Sequence, residues 1–420
     1  MNLSPASRSL LILTSLNLLD YLDRYLIAAL GTLVKGELDL SDKAFGFLGT
    51  AFFLVYFLSS PLFGYLGDRW GKIRLMAGGA VLWSLATSLT YWVASYPALV
   101  LARGAVGVGE ASFGTLAPAY LADLFPLSRR ARALGIFYVA IPVGSALAYL
   151  CGGFVGGQWG WRPAFLLAGL PGIVLAAFIY RLPVVESFGS GLKDFSQPAT
   201  PKTENPKPET VFNTALALWR LPTLKRVTLG YGMVTFTLGG LAFWMPRYLE
   251  VDKGLSLAQA NYLLFGAVTL AGGLGTLTGG FLGDRLLRRT LGAPLWVSGL
   301  GVTAALPLAA LAIFSANPYF YVPGLVGAVF LLFLNPGVIT AVVVSVAGPM
   351  RRAQAVALNI VVIHLVGDVP SPFIIGWASD LWSLRTGVSL TLAGLAAGAI
   401  LFFLALPHLP RDLAAAGEGV

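Results

Sequence analysis

Two related stretches decide the fold: Gly64-Tyr-Leu-Gly-Asp-Arg-Trp-Gly-Lys-Ile-Arg74 and Gly280-Phe-Leu-Gly-Asp-Arg-Leu-Leu-Arg-Arg289. Each follows a long apolar run, and their first residues lie 216 positions apart. A second pair of basic motifs, which begin at Arg129 and Arg351, lies 222 positions apart. Because the two offsets are nearly equal, the second half of the chain repeats the first half in the same direction.

The composition around these motifs is that of a membrane protein. Hydrophobic residues make up 57% of the 420 residues and charged residues only 11%, whereas a soluble domain carries about 25% charged residues. The net charge of +9 does not indicate nucleic-acid binding, because the basic residues lie in short segments between apolar runs. The single cysteine, Cys151, excludes an internal disulfide and a thiolate metal cluster.

Twelve apolar runs are long enough to cross a bilayer, which takes about 20 residues. The first six are predicted to form an N-terminal bundle within 1–181, and the last six a C-terminal bundle within 225–420. The intervening 182–224 is rich in proline and charge, so we predict a cytoplasmic linker with a short helix near 210–220. The predicted spans are 9–31, 45–66, 74–95, 98–122, 131–157, 161–181, 225–248, 258–283, 292–315, 319–346, 353–378 and 387–408.

The distribution of lysine and arginine predicts the orientation. With the N-terminus inside, 20 of the 28 basic residues fall in inside segments and 6 in outside loops. Inside loops of membrane proteins carry this excess. We therefore expect both termini in the cytoplasm. We also expect an integral protein of a bacterial inner membrane that is a monomer.

Charged residues occur where helices cross the membrane. Asp20, Asp23 and Arg24 lie on one face of span 1, at i, i+3 and i+4. The helix rise places Asp20 and Asp23 about 16 and 21 Å from the cytoplasmic end, and Glu110 of span 4 about 20 Å from it. Arg103 lies seven residues before Glu110. Such residues are costly in lipid and indicate function; the group either couples transport to protons or forms a static ion pair.

The second half carries different candidates. His364 and Asp368 of span 11 lie about 16 and 22 Å deep, and we predict that they contact substrate, although a packing role for His364 stays open. Spans 7 to 10 have no deep charge but many bulky apolar residues, among them Phe236 and Trp244. We predict that these line a substrate tail; the alternative is a lipid-facing surface.

The repeated motif predicts a gate. Asp68, Arg69 and Lys72 of the first copy, with Asp284 of the second, lie at the cytoplasmic ends of the second and eighth spans. A carboxylate held among helix ends and arginines can lock the two halves together on that side. The alternative is a charged loop that only obeys the positive-inside rule.

Other classes of function find no support in the sequence. The chain has two histidines, His364 and His408, and shows no catalytic constellation, metal-ligand spacing or phosphate-binding loop. The Gly104-x-x-Gly107-x-Gly109 pattern lies inside a predicted span, where it favours close helix packing. We expect no enzyme activity, no cofactor, no metal and no nucleic-acid partner.

The Gly-x-Leu-Gly-Asp-Arg-x-Gly-Lys-x-Arg motif and the two six-span halves resemble the major facilitator superfamily over the whole chain. Within it, four runs resemble the Spinster family. They are Leu18-Leu-Asp-Tyr-Leu-Asp-Arg24, Arg103-Gly-Ala-Val-Gly-Val-Gly-Glu-Ala-Ser-Phe-Gly-Thr-Leu-Ala-Pro118, Phe137-Tyr-Val-Ala-Ile-Pro-Val-Gly-Ser145 and His364-Leu-Val-Gly-Asp-Val-Pro-Ser-Pro372.

This resemblance implies a proton-coupled transporter of lysophospholipids or sphingosine phosphates that works by alternating access. It implies that Asp23 and Glu110 carry protons, and that Arg24 and Arg103 meet a charged head group or pair with those acids. The family usually has asparagine where this chain has Asp20, so the extra carboxylate is expected to change the proton stoichiometry or the head-group preference. We count Asp20 with Asp23 and Glu110 among the expected proton-coupling residues. The alternative is a drug/proton antiporter or a small organic-anion transporter of the same fold.

Overall fold

The computed structural model of the chain describes residues 4–125, 127–183, 211–348 and 351–417. In this part every regular element is a helix, and twelve long helices, α1 to α12, run alternately in opposite directions between two faces. They are α1 Pro5–Ala29, α2 Asp42–Trp70, α3 Lys72–Leu89, α4 Tyr96–Leu124, α5 Ala133–Trp159, α6 Trp161–Ile179, α7 Pro222–Val251, α8 Leu257–Leu287, α9 Ala293–Phe314, α10 Pro318–Ala347, α11 Gln354–Leu381 and α12 Leu384–Ala405. Three short helices, Gly31–Leu38, Val211–Trp219 and Leu409–Ala415, accompany them.

Ten of these helices are long and apolar enough to cross a membrane. The other two, α1 and α4, have 25 and 29 residues and carry the charged side chains predicted at membrane depth. The predicted fold of twelve spanning helices in two halves is confirmed. Helix Val211–Trp219 confirms the short helix expected near 210–220, whereas 184–210 lies outside the described residues and the division at 1–181, 182–224 and 225–420 stays a prediction.

The two halves pack in the same way. In the first half α3 packs against α4 and α6, and α1 against α5; in the second, α9 packs against α10 and α12, and α7 against α11. Between the halves, α2 packs against α11 and α5 against α8. The repeat seen in the sequence is therefore a repeat of helix packing.

The halves meet closely at one face, called here the closed face, where α2 and α8 begin and α11 ends. The side chains of Phe45, Phe243 and Trp244 pack together there. Gly46 lies so near the Pro372 carbonyl oxygen that a Cβ atom at this position would overlap it. Small residues permit this approach of two backbones.

Polar contacts join the halves at the same face. The Asp380 carboxylate, at the end of α11, accepts hydrogen bonds from the backbone N–H groups of Asp42 and Lys43, at 2.7 and 2.8 Å. These N–H groups belong to the first turn of α2, which has no partner for them within its own helix. The Ser379 hydroxyl donates to Asp42 Oδ2 at 2.5 Å, and Arg247 Nε lies 3.4 Å from Asp42 Oδ1.

The opposite face, called the open face, differs. There the final segment of α8, Gly273–Leu287, and the helical segment that leads into α11, Arg352–Ile363, make their main contacts within their own half. A π-helical turn adjoins each segment. Ala267–Gly272 precedes the segment of α8, and His364–Asp368 follows the segment of α11. The two halves are thus joined at the closed face and parted toward the open face.

Replacing Gly46 by alanine is expected to force the halves apart at the closed face, since the new methyl group overlaps the Pro372 carbonyl. Overpacking of this kind costs about 1–3 kcal/mol. Distances between spin labels at the exposed positions 92 and 382, one in each half, should lengthen. Gly36→Ala is the matched control, because a Cβ atom there meets nothing within 4 Å. Wild-type distances and thermal stability in Gly46→Ala would contradict this account of the closed face.

Candidate functional site

The middle of α1 carries the centre of the candidate site. This helix packs tightly on α5, where a Cβ atom at Gly144 would come within 2.8 Å of the Tyr21 Cβ atom. The Asn17 side chain also donates a hydrogen bond to the Phe137 carbonyl oxygen at 3.0 Å. These contacts fix the rotation of α1, and its acidic face turns toward α4 and α3.

Arg24 lies between two carboxylates. Its Nη2 atom is 3.1 Å from Asp20 Oδ2 and 2.9 Å from Glu110 Oε2, and its Nε atom donates to the same Glu110 oxygen at 3.2 Å. The Glu110 side chain is fully buried and that of Asp20 is 3% exposed, whereas Arg24 is 12% exposed. The predicted approach of Glu110 to the charged face of α1 is therefore present, and Arg24 is its most accessible member.

Aromatic rings surround the Arg24 guanidinium. Its Cζ atom lies 4.5 Å from the ring centre of Tyr21, 5.2 Å from that of Tyr56 and 5.3 Å from that of Phe52. Ring faces attract cations, most strongly where water is excluded. These rings replace part of the hydration that a charge loses inside a membrane protein.

Asp23 and Arg103 form the other side of the cluster. Asp23 Oδ2 accepts a hydrogen bond from the Thr87 hydroxyl of α3. Arg103 is 2% exposed, lies 4.8 Å from the Phe52 ring centre and attracts both Asp23 and Glu110 electrostatically. Its Nε and Nη1 atoms have no hydrogen-bond partner. We did not predict Thr87 from the sequence, because hydroxyl residues are common in spanning helices and usually bond to their own backbone.

The cluster carries more negative charge than its arginines neutralise. Asp20 Oδ1, Asp23 Oδ1 and Glu110 Oε1 are buried without a hydrogen-bond partner. With every group ionised, three carboxylates and two guanidiniums leave one excess negative charge. A buried site of this kind can bind a proton and release it when the arrangement of the arginines changes.

The second half contributes a titratable pair. His364 Nδ1 lies 2.5 Å from Asp368 Oδ2 across the π-helical turn of α11, and the two side chains are 40% and 12% exposed. Tyr25 of α1 interacts electrostatically with Asp368 and with Arg24. Tyr25 carried no sequence signal, since tyrosines are common near charged residues and interfaces alike.

The two aromatic residues predicted to contact substrate lie in different places. Phe236 is half-buried on α7 and packs against Gly394 of α12. Trp244 is fully buried in the closed face, where its indole N–H donates to the Pro372 carbonyl oxygen at 2.9 Å. In this arrangement Trp244 joins the two halves, so a contact with substrate stays a prediction.

The predicted gate residues lie at the open face. The side chains of Asp68 and Asp284 lie outside the described part of the chain. Lys72 forms an ion pair with Asp123 of α4, and Arg69 lies over the Tyr65 ring at 4.6 Å. Both contacts are within the first half, as expected where the open face is parted.

The chain matches known proteins in sequence and in fold. The model of the Major Facilitator Superfamily matches residues 13–367. Protein spinster homolog 1 of Mus musculus is 34% identical over 389 residues, which cover 88% of this chain and 72% of the relative. The Homo sapiens protein of the same name is 34% identical over 400 residues, 90% of this chain and 74% of that one.

Among solved structures, a bacterial homologue of the human lysosomal transporter Spinster, in an inward-facing and occupied conformation, matches with a TM-score of 0.85 and 22% identity. The match covers 98% of this chain and 99% of the other, and it shows that the fold is shared. The chain is therefore an integral membrane transporter that belongs to the Major Facilitator Superfamily and, within it, to the Spinster family.

Proposed function

We propose that this protein is a proton-coupled secondary active transporter of an amphiphilic lipid, such as a lysophospholipid or a sphingosine phosphate, working by alternating access. The observation that carries the proposal is the buried cluster of Asp20, Asp23, Arg24, Arg103 and Glu110. It lies inside the first half, between α1 and α4, and near the middle of the membrane, the depth at which transporters bind substrate and coupling ion.

Unsatisfied oxygens favour proton coupling over a static ion pair. A pair that only joins α1 to α4 gains most when every buried acceptor has a donor, because an unpaired buried oxygen costs free energy. Here three carboxylate oxygens have none. Binding of a proton turns an acceptor into a donor and relieves this deficit, so the cluster is suited to exist in two protonation states.

The parted face is proposed to be the cytoplasmic one. It holds the start of α1, the end of α12 and the basic loops that the positive-inside rule places in the cytoplasm. The protein is then inward-facing, as is the bacterial homologue that it resembles. In the outward-facing state, Asp68, Arg69, Lys72 and Asp284 are proposed to join the halves across the face that is now parted.

The substrate is proposed to bind between the accessible charges of the two halves. Arg24 offers a guanidinium to an anionic head, and His364 with Asp368 offers polar contacts from the opposite half. Phe236 supplies part of an apolar wall for a tail. Arg103 and Trp244 are enclosed here, so their proposed contacts with substrate belong to another state of the cycle.

Glu110→Gln is expected to abolish proton-driven transport while the protein stays folded, because glutamine keeps the size of the side chain and cannot titrate. Uptake of a radiolabelled lysophospholipid into liposomes with an imposed pH gradient measures this. Uptake by the variant should fall to the level of protein-free liposomes. Glu37→Gln, at an exposed ion pair of the closed face, is the matched control and should transport like the wild type. Gradient-driven uptake by Glu110→Gln at the wild-type rate would disprove the role of Glu110.

The tail is expected to dominate binding from water. Each methylene that leaves water contributes about 0.8 kcal/mol to the binding free energy. The contact of the phosphate head with Arg24 contributes less, because the phosphate loses its hydration and competes with the nearby carboxylates for the same guanidinium. Affinity should therefore rise from glycerol phosphate through lysophospholipids of increasing chain length, measured by calorimetry below their micellar concentrations. Equal affinity for glycerol phosphate and the longest chain would replace the lipid proposal by the organic-anion alternative.

A further inference from the structure

Asp20 and Glu110 share one nitrogen atom of Arg24. Their oxygens lie 3.1 and 2.9 Å from the same Nη2 atom, so the two carboxylates are neighbours. Each keeps one buried oxygen without a partner, Oδ1 of Asp20 and Oε1 of Glu110. A hydrogen bond between two carboxyl groups needs a proton on one of them.

The charges around this pair separate it from Asp23. Asp23 has its own hydrogen bond from Thr87 and the attraction of Arg103. Arg103 attracts Asp23 as well as Glu110, whereas Arg24 forms an ion pair with both Asp20 and Glu110. The titratable and charged groups that face the pair are Tyr21, Asp23, Arg24 and Tyr25 on α1, Tyr56 on α2 and Arg103 on α4.

Two carboxylates this close in a site that excludes water do not both stay ionised readily. One proton placed between them removes the repulsion and supplies the missing donor. A second proton would leave Arg24 as an uncompensated buried cation. The balance of charge therefore favours one proton on the pair, neither none nor two.

We propose that Asp20 and Glu110 form a single site that holds one shared proton, while Asp23 stays ionised beside Thr87 and Arg103. The proton comes from water on the open side, binds one carboxylate oxygen, and is donated in a hydrogen bond to the other carboxylate. It leaves as a proton when the arrangement around Arg24 changes. This inference rests on the proposed proton coupling and adds the identity of the carrier and its capacity of one proton.

The shared site changes what is expected of Asp20. From the sequence alone, Asp20→Asn should have a mild effect, because it restores the residue usual in the Spinster family. In the structure, an asparagine amide at position 20 would donate permanently to Glu110 and leave it paired with Arg24 alone. Glu110 should then stay ionised, and the shared proton should be lost.

Infrared difference spectroscopy of the purified protein in liposomes, titrated from acidic to alkaline pH, tests this without any substrate. A protonated carboxyl group gives a C=O stretching band that an ionised one lacks. Asp20→Asn and Glu110→Gln should each remove the same band from the wild-type difference spectrum. Asp39→Asn is the control at an exposed carboxylate and should keep the band. Asp20→Glu should also keep it, which separates loss of the carboxyl group from misfolding.

Two results would overturn the inference. If the band persists at full intensity in Asp20→Asn and vanishes only in Glu110→Gln, Glu110 carries the proton alone, and the proposed coupled transport stands. If the wild type has no such titrating band, the shared proton is absent. In that case pH-gradient-driven uptake by the wild type would preserve the proposed function, and its absence would remove both.

Discussion

The arrangement of the first half depends on one interaction, in which the Arg24 guanidinium binds the carboxylates of both Asp20 and Glu110. A charge in the middle of a membrane protein is costly unless it is paired. Arg24 therefore requires α4 to bring Glu110 to α1, and α2 to cover the ion pair with Phe52 and Tyr56. Removal of either carboxylate changes the charge balance of the whole cluster, since Asp23 and Arg103 neutralise each other's charge only in part.

The packing between the halves gives this cluster its access to one side. Backbones meet at the closed face, where Gly46 and Gly376 leave room for the opposite carbonyl groups and Asp380 binds the first turn of α2. Toward the open face, the segments Gly273–Leu287 and Arg352–Ile363, which adjoin the π-helical turns, make their main contacts within their own half. Since the contacts of the closed face are short in range, they are made or broken as a unit, which suits a protein with two discrete states.

The sequence predicted the fold and the centre of the site because both depend on strong signals. The length of the apolar runs and the repeated Asp-Arg motifs predict the twelve helices and their two halves. The helix rise then places Asp20, Asp23 and Glu110 at similar depths in the membrane. Thr87 and Tyr25 escaped prediction because a hydroxyl group or a phenol in a span has many ordinary roles. Trp244 shows a further limit: the same aromatic residue suits a cavity, lipid or a helix contact, and only the packing of the halves places it in the closed face.

Proton-coupled alternating access requires that protonation of the cluster controls which face is open, and this can be measured without any substrate. Distances between spin labels at positions 92 and 382, across the closed face, should be measured over a range of pH in liposomes. The account predicts that the distance distribution changes with pH in the wild type and is independent of pH in Glu110→Gln. The same pH dependence in both proteins would contradict it.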